Sequence, residues 1–233
     1  MSEVFKSNHL REVICEIRFP PQIQVDGEKH LFCQTVSKDF PNFSIPNVPS
    51  GVHPILLPTQ LSNPDLFESL NFSIFSFSFH TQKYTHFDYF KDKAIKFIDV
   101  FSSKFNIQEY IQVGLRYINS IPVIREDKII PVEKYFNFVP FVPKSLDKNP
   151  IDTFDSSLTL IKDVNRKLKL TIKHIEEAES QRLILDIDSL HYGKTLKTNL
   201  DSVLSGSHEL VEGVFLEMIS ESYKEVLRGR GLD

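Results

Sequence analysis

The chain has 233 residues, 41% of them hydrophobic, and a formal net charge of −4 at pH 7. This length and composition provide for a sizeable core in one large domain or two small ones. Phosphate contacts need clustered Lys and Arg, so the acidic balance argues against a general nucleic-acid binder, although a local basic patch stays open.

The cysteines and the apolar segments indicate the compartment. Cys15 and Cys33 are the only two cysteines, and they form neither a disulfide framework nor a zinc-binding pattern. The first residues lack the apolar segment of a signal peptide, and no window approaches the ~18 apolar residues of a transmembrane helix. We therefore expect a cytoplasmic protein that does not span a membrane.

The first predicted strand, residues 10–19, is amphipathic and ends at Pro20 and Pro21. One face carries Val13, Cys15, Ile17 and Phe19. The other face carries Glu12, Glu16 and Arg18, with Ile14 between them. A short helix is predicted over residues 28–40. The proline-rich connection after it is either a loop of about 20 residues or a loop that contains a short strand at residues 52–57.

Residues 67–79 predict a second strand, rich in phenylalanine, whose apolar parity switches at Ile74 and Phe75. The switch indicates a β-bulge, or a strand that passes from one buried face to another. A helix is predicted over residues 86–105, with Thr85 and Asp88 as a variant capping box and an apolar stripe at 3–4 spacing.

The long alternating stretch at residues 107–122 predicts the central strand of the fold. Its apolar face carries Ile111, Val113, Leu115 and Tyr117. Its other face carries Gln112, Gly114, Arg116 and Ile118, and Pro122 ends the strand. Arg116 is therefore expected to project from the face opposite the core.

The second part of the chain also alternates between strands and helices. Residues 131–136 predict a short helix, and a loop is marked by Pro140, Pro143 and Pro150. Three strands are predicted over residues 158–162, 167–175 and 183–188. A turn at residues 163–166 joins the first two as a hairpin.

The last predicted helix covers residues 200–227, with a break at Gly206. Its buried stripe comprises Leu210, Val211, Val214, Phe215, Met218 and Ile219. The whole order of elements predicts an α+β fold, in which an antiparallel sheet, or sheets, carries helices on one face. We expect a single domain over residues 1–233. Two similar halves, residues 1–125 and 150–233 joined by the proline-rich segment, are the alternative.

Four motifs, in the same order along nearly the whole chain, resemble one known family. They are Leu10-Arg-Glu-Val-Ile-Cys-Glu-Ile-Arg-Phe-Pro20, Val113-Gly-Leu-Arg-Tyr-Ile-Asn119, Leu185-Asp-Ile-Asp188 and the helix from His208 through Phe215 to Ile219. The family is a sporadically distributed group of bacterial and archaeal proteins of about this length, whose function is uncharacterised. The resemblance implies a prokaryotic accessory protein, with the patchy distribution typical of defence or toxin–antitoxin cassettes, and it supplies no catalytic residues.

Arg116 and Asn119 are the strongest candidates for binding a ligand, because a guanidinium and an amide on a rigid strand suit a phosphate or carboxylate. Glu12, Glu16 and Arg18 on the first strand would complete such a site. The structural alternative is that Arg116 forms an ion pair across the sheet with Glu12 or Glu16.

Asp186 and Asp188 are the weaker candidates, as ligands of a divalent metal with His191 nearby. The two carboxylates project from one face of a strand, about 7 Å apart for a rise of about 3.3 Å per residue. The alternative is that they pair with the lysine-bearing strand. We predict neither a bound metal nor another cofactor.

The polar face of the sheet also resembles that of the triphosphate-tunnel enzymes. Those enzymes use an amino-terminal Glu-x-Glu-x-Lys strand in a closed antiparallel barrel that holds metal and polyphosphate. Here the spacing is Glu12-x-x-x-Glu16-x-Arg18, and Ile14 stands where an acid is needed. This departure removes a metal ligand from the pattern.

No P-loop, dinucleotide-binding, nucleophile-elbow or zinc-protease motif is present. We therefore expect no catalytic residues, and a non-enzymatic binding or regulatory protein that recognises a protein partner encoded nearby. The alternative is a phosphate- or nucleotide-handling enzyme or sensor built on the polar face of the sheet.

Overall fold

The computed structural model describes residues 8–44, 56–124, 130–137, 153–177 and 180–229, together with Phe5, His53 and Glu126. Its strands are β1 (Leu10–Arg18), β2 (Asn42–Ser44), β3 (Thr59–Asn63), β4 (Glu68–Phe72), β5 (Ser76–Thr81), β6 (Glu109–Pro122), β7 (Asp155–Asp163), β8 (Arg166–Glu177) and β9 (Ser180–Leu196). Its helices are α1 (Ile23–Val36), α2 (Phe87–Lys104), α3 (Val132–Tyr135), α4 (Leu200–Met218) and α5 (Glu221–Leu227).

The nine strands form one antiparallel sheet in the order β2-β3-β4-β5-β1-β6-β9-β8-β7. The predicted central strand, β6, lies between β1 and β9 and pairs with β9 from Glu109, opposite Leu196, to Pro122, opposite Arg182. The α+β class is confirmed, and the sheet is continuous across the two predicted halves. The division into sub-halves stays a prediction, and the prolines at 140–150 lie outside the described residues.

Helices α1, α2 and α4 pack on one face of the sheet, which we call the covered face. Phe32 of α1 meets Phe72, Phe77 and Phe101 edge-on, with ring centroids between 5.1 and 6.0 Å apart. α4 packs against β6 and β9. Against this layer the apolar residues in the middle of β1 and β6 are at most 1% exposed, and they are Val13, Cys15, Ile17, Val113 and Leu115. The opposite face, which we call the open face, carries the polar positions of the same strands.

The predicted phenylalanine-rich strand is in fact two strands, so the expected bulge is wrong. β4 ends at Phe72, and β5 returns antiparallel with Phe77 opposite Phe72. Residues opposite each other in an antiparallel pair point to the same face, so the turn between them reverses the parity at Ile74 and Phe75. Within the turn, the hydroxyls of Ser73 and Ser76 are 2.9 Å apart and hydrogen-bonded.

The first two helices differ from the predictions at their starts. α1 spans Ile23–Val36 instead of residues 28–40. The residue that caps α2 is His86 and not Thr85, because the His86 Nδ1 accepts a hydrogen bond of 3.3 Å from the backbone N–H of Tyr89. A histidine nitrogen therefore satisfies one of the unpaired N–H groups of the first turn, as a serine or aspartate oxygen would.

The last helix is broken at Ile219 and Ser220, and the predicted break at Gly206 is wrong. Gly206 lies inside α4, where Nη1 of Arg166 donates a hydrogen bond of 3.3 Å to its carbonyl oxygen. A Cβ at Gly206 would lie 3.5 Å from that guanidinium. That is an ordinary contact distance, so the approach of Arg166 does not require a glycine. The Ser220 hydroxyl starts α5 by accepting a hydrogen bond from the N–H of Tyr223.

Several smaller predictions are also settled. β7, β8 and β9 are confirmed and are longer than predicted, and β2 and β3 were not predicted. Ile111 is exposed, because a register shift between Tyr110 and Gln112 turns Tyr110 inward in its place. Half of the short strand that was one alternative for residues 52–57 falls outside the described residues, and the described residues there are not in a strand. Among the helices that the structure describes, none is both long and apolar enough to cross a membrane.

Candidate functional site

The polar side chains of the open face come together in one row across five strands. His80 of β5 lies opposite Ile14 of β1, which lies opposite Arg116 of β6. Arg116 in turn lies opposite Asp188 of β9, and Asp188 lies opposite Lys169 of β8. Cross-strand neighbours of this kind lie on one face and interact. The alternation of side chains along each strand thus places the predicted residues Arg116 and Asp188 on one face with His80 and Lys169.

Arg116 forms a bidentate ion pair, but with Asp186 and not with Glu12 or Glu16. Its Nε and Nη2 donate to the two carboxylate oxygens of Asp186 at 2.8 and 2.6 Å. This hydrogen bonding is the main reason that the pKa of Arg116 is raised. The predicted ion pair of Arg116 is therefore confirmed, but the predicted acidic partner is wrong. The partner lies on β9 and is diagonal to Arg116, since the residue directly opposite Arg116 is Asp188.

The two glutamates of β1 have other partners. Glu12 Oε1 lies 3.0 Å from Nδ1 of His80, and that hydrogen bond is the main reason that the pKa of Glu12 is lowered. Glu16 Oε1 accepts a hydrogen bond of 2.6 Å from Nε of Arg18, two residues away on the same face. Four of the predicted charged residues of this face are thus paired in three separate contacts, and they are Glu12, Glu16, Arg18 and Arg116.

Asp188 differs from them, because no hydrogen bond to its carboxylate is found among the described residues. Burial raises its pKa to about 6, against the attraction of Arg116, while the charges of Asp186 and Glu16 raise it further. Gly114 leaves the space in front of it open. A Cβ there would lie 3.3 Å from Leu190 Cδ2 and 3.9 Å from Asp188 Oδ1.

Around Asp188 the open face forms a groove of about 390 Å³, which we call the open-face groove. Its charged and polar lining comprises Glu16, Arg18, His80, Gln112, Arg116, Lys169, Asp188 and Tyr192. Both arginines already bind carboxylates, so Lys169 is the one cation of this lining without an ion pair in the described part of the chain. The groove therefore offers mixed charge and not a concentrated positive field.

The predicted metal ligands do not form one cluster. Asp186 and Asp188 share the open face, as expected, but Asp186 is occupied by Arg116. His191 is an odd number of residues from both and points to the covered face, opposite Val113. Within the described ranges, no group of three or more His, Cys, Asp or Glu residues is arranged to hold a metal ion.

Asn119 also lies on the covered face, so it does not form a fork with Arg116. It is only 7% exposed, and its Nδ2 donates a hydrogen bond of 3.3 Å to the carbonyl oxygen of Leu185. The signal for this correction was in the sequence. Residues 116 and 119 are three apart, and an odd separation places two residues of one strand on opposite faces.

No protein-family model, curated protein or solved structure matches this chain. The resemblance that rests on the Gly-Leu-Arg-Tyr-Ile-Asn strand stays a prediction. The candidate sites are therefore interpreted from their geometry.

Sequence reasoning missed a second site, a cavity of about 170 Å³ on the covered face beneath α4. Tyr117 of β6 and His208 of α4 meet there, with the Tyr117 hydroxyl 3.0 Å from Nδ1 of His208. The His208 ring stacks on Phe87, with centroids 3.9 Å apart. Tyr117 belongs to the predicted apolar face of the central strand, and His208 lies outside the predicted buried stripe of the last helix. The residue spacing of these two segments therefore did not predict that the two side chains meet.

The two edges of the sheet differ in a way that bears on binding. β2, at one edge, has three residues. β7, at the other, has nine, and all but Ser156 are exposed. Its apolar side chains include Leu158, Leu160 and Ile161, which are 51%, 43% and 76% exposed. In the described part of the chain β7 pairs with β8 alone, so its outer backbone edge has no strand partner.

Proposed function

We propose that this chain is a non-enzymatic binding protein that recognises a protein partner by adding a strand of that partner to β7. The observation that carries the proposal is the exposed outer edge of β7, with three exposed apolar side chains in its middle. Natural proteins shorten, charge or cover such edges, because unpaired N–H and C=O groups are templates for another strand. An edge that is nine residues long and exposes Leu158, Leu160 and Ile161 therefore indicates an interaction surface.

The side chains of β7 support the same surface. Leu158 and Leu160 lie opposite Leu170 and Leu168 of β8, on the covered-face side of the sheet. Leu168 is buried, whereas the two β7 leucines beside it are left half-open. A partner strand would extend this apolar row by one strand, with its main chain bonded to β7 and its apolar side chains against Leu158 and Leu160.

The test uses the products of the neighbouring genes, each co-expressed with the wild-type chain and analysed by size-exclusion chromatography with light scattering. One of them should form a stoichiometric complex. The double variant Leu158→Lys with Leu160→Lys places two charges on the binding row and should weaken that complex at least tenfold by calorimetry, about 1.4 kcal/mol.

The matched control is Ile23→Lys with Ile124→Lys, which changes two apolar residues that are 69% and 66% exposed elsewhere on the molecule. The control should bind the partner as the wild type does. Equal affinity of the β7 variant and the control would exclude β7 as the surface. A bare wild-type monomer with every neighbouring product would exclude a nearby-encoded partner.

The phosphate- or nucleotide-handling alternative rests on Arg18, Arg116 and Lys169, which line the open-face groove. It has less support, because an anion there would have to displace two carboxylates from the arginines and approach Asp188. Calorimetric titration with ATP and tripolyphosphate tests it directly. Saturable heat that is lost in Arg116→Lys, which keeps the charge but not the bidentate fork, would favour this alternative. The absence of heat with either anion would remove it.

A further inference from the structure

The cavity beneath α4 has the composition of a small-molecule site. Most of its wall is apolar and comes from Leu10, Ile187, Val211, Phe215 and Leu216. A few polar groups converge on it from β6, α4 and the segment before β1. A concave, apolar site with a small number of placed polar groups is the usual form of a ligand pocket.

The volume of the cavity limits the size of the ligand. A cavity of about 150 Å³ lined by aliphatic and aromatic side chains accepts one benzene ring. The present cavity, at about 170 Å³, therefore accepts one ring with one or two substituent atoms. A nucleotide or a peptide is too large to be enclosed in it.

The polar groups at the cavity are mostly uncharged. Burial lowers the pKa of His208 and, together with Arg182, the pKa of His9, so both rings favour the neutral form near pH 7. Burial likewise raises the pKa of Tyr117, which stays protonated. Among the described residues that line the cavity, Glu212 is the one with an acidic side chain, and it repels an anion. The cavity therefore favours an uncharged ligand over an anionic one.

Asn119 supplies the specific contact. Its Nδ2 is committed to the carbonyl oxygen of Leu185, which leaves Oδ1 as an acceptor without a donor among the described residues. Asn119 is only 7% exposed and lines the cavity. This amide oxygen can therefore accept a hydrogen bond from a ligand that brings a donor into a site whose wall is mostly apolar.

We propose that this cavity binds a small, uncharged aromatic molecule that carries one O–H or N–H donor, and that Asn119 accepts the hydrogen bond. The proposal is independent of the β7 surface. It involves the covered face of β6, and its ligand would contact β9, α4 and the start of β1 together.

The test uses phenol and aniline as probes with a donor, and toluene as a probe of similar size without one. Binding is followed by the methyl resonances of Ile187 and Val211 in NMR titrations of the full chain. Phenol and aniline should shift these resonances saturably and compete with each other. Toluene should bind at least tenfold more weakly than phenol.

Three variants locate the site. Asn119→Leu should remove the preference for phenol over toluene while both still bind. Leu216→Trp fills the cavity from its partly exposed wall and should abolish binding of every probe. Leu190→Trp fills the open-face groove instead and should leave the titrations unchanged. A melting curve checks that Leu216→Trp is folded, and Val211→Leu, a smaller filling substitution, replaces it if it is not.

Several outcomes would overturn the proposal. These are no saturable shift with any probe, shifts that persist when the cavity is filled, or equal affinity of phenol and toluene in the wild type. Shifts that disappear in Leu190→Trp and not in the filling variants would place the probes on the open face and contradict it equally.

Discussion

The two faces of β6 share one backbone and differ in almost everything else. On the covered face, Val113 and Leu115 are 1% and 0% exposed beneath the helices. On the open face, the Arg116 side chain is 43% exposed and satisfied by the carboxylate of Asp186. The covered face therefore holds the fold through burial, and the open face holds charges that balance each other. Substitutions on one strand should separate the two contributions.

The largest effect is expected from the covered face. Leu115→Ala removes a fully buried side chain opposite Cys15 and should lower the free energy of unfolding by roughly 2–5 kcal/mol, as large-to-small changes in a core do. Urea denaturation measures it. Ile118→Ala is the matched control, because Ile118 lies three residues further along the same strand and is partly exposed on the open face. Its cost should be about 1 kcal/mol or less, and equal costs for the two variants would contradict the assignment of faces.

The next effect compares two aspartates of the open face that lie two residues apart. Asp188→Asn should raise the free energy of unfolding by about 1–3 kcal/mol at pH 8, because it removes a carboxylate whose charge is disfavoured by burial. Asp186→Asn should lower it by about 1–3 kcal/mol, because Arg116 loses its bidentate acceptor. Urea denaturation at several pH values measures both.

The pH dependence follows from the direction of the shift. The pKa of Asp188 is raised in the folded chain from 3.8 to about 6, so the folded state binds the proton more tightly than the unfolded state. The contribution of Asp188 to the free energy of unfolding is therefore fully present below about pH 4 and is lost as the pH rises through about 6. The advantage of Asp188→Asn should therefore vanish near pH 4. A destabilised Asp188→Asn at pH 8 would show that the carboxylate has a favourable partner.

A smaller effect concerns the electrostatic coupling between Arg116 and Asp188. The positive charge of Arg116 lowers the pKa of Asp188, so Arg116→Gln should raise that pKa above about 6. Arg116→Lys keeps the charge and should leave the pKa closer to the wild-type value, although its bond to Asp186 is weaker. Carbon-detected NMR titration of the Asp188 carboxyl measures both. An unchanged pKa in Arg116→Gln would mean that solvent screens the pair fully.

The smallest effect is expected at the edge of the open-face row. His80→Asn removes the hydrogen bond that lowers the pKa of Glu12, so that pKa should rise toward 4.5. A lowered carboxyl pKa stabilises the fold above the unfolded pKa, and that stability is lost as the pH falls through the folded pKa, so the variant should be slightly less stable at pH 7 and should lose less stability on acidification than the wild type. Because the pair is partly exposed, the change at pH 7 should stay below about 1 kcal/mol. A larger loss would indicate that His80 also supports β5.

The sequence predicted what alternation controls and missed what long-range geometry controls. The faces of β1 and β6, the β7–β8 hairpin and the α+β class all follow from apolar residues at period two. The partner of Arg116 does not, because the choice between opposite Asp188 and diagonal Asp186 depends on side-chain directions and register. The β4–β5 turn was hidden, since Ser73 and Ser76 carry no Gly or Pro signal. The cavity beneath α4 could not be predicted, because it exists only where several segments that are distant in the sequence meet.

The position of β6 between β1 and β9 also affects how the chain is made. Arg116 and Asp186, bonded across β6 and β9, are 70 residues apart in the sequence. At a synthesis rate of about 5–20 residues per second, β6 leaves the ribosome roughly 4–14 s before its β9 neighbour. During that interval the edge of β6 that later pairs with β9 has no strand partner, and nascent chains on one messenger can pair through it. The length of this exposure is set by the spacing of β6 and β9 in the sequence, and the stability of the finished sheet does not shorten it.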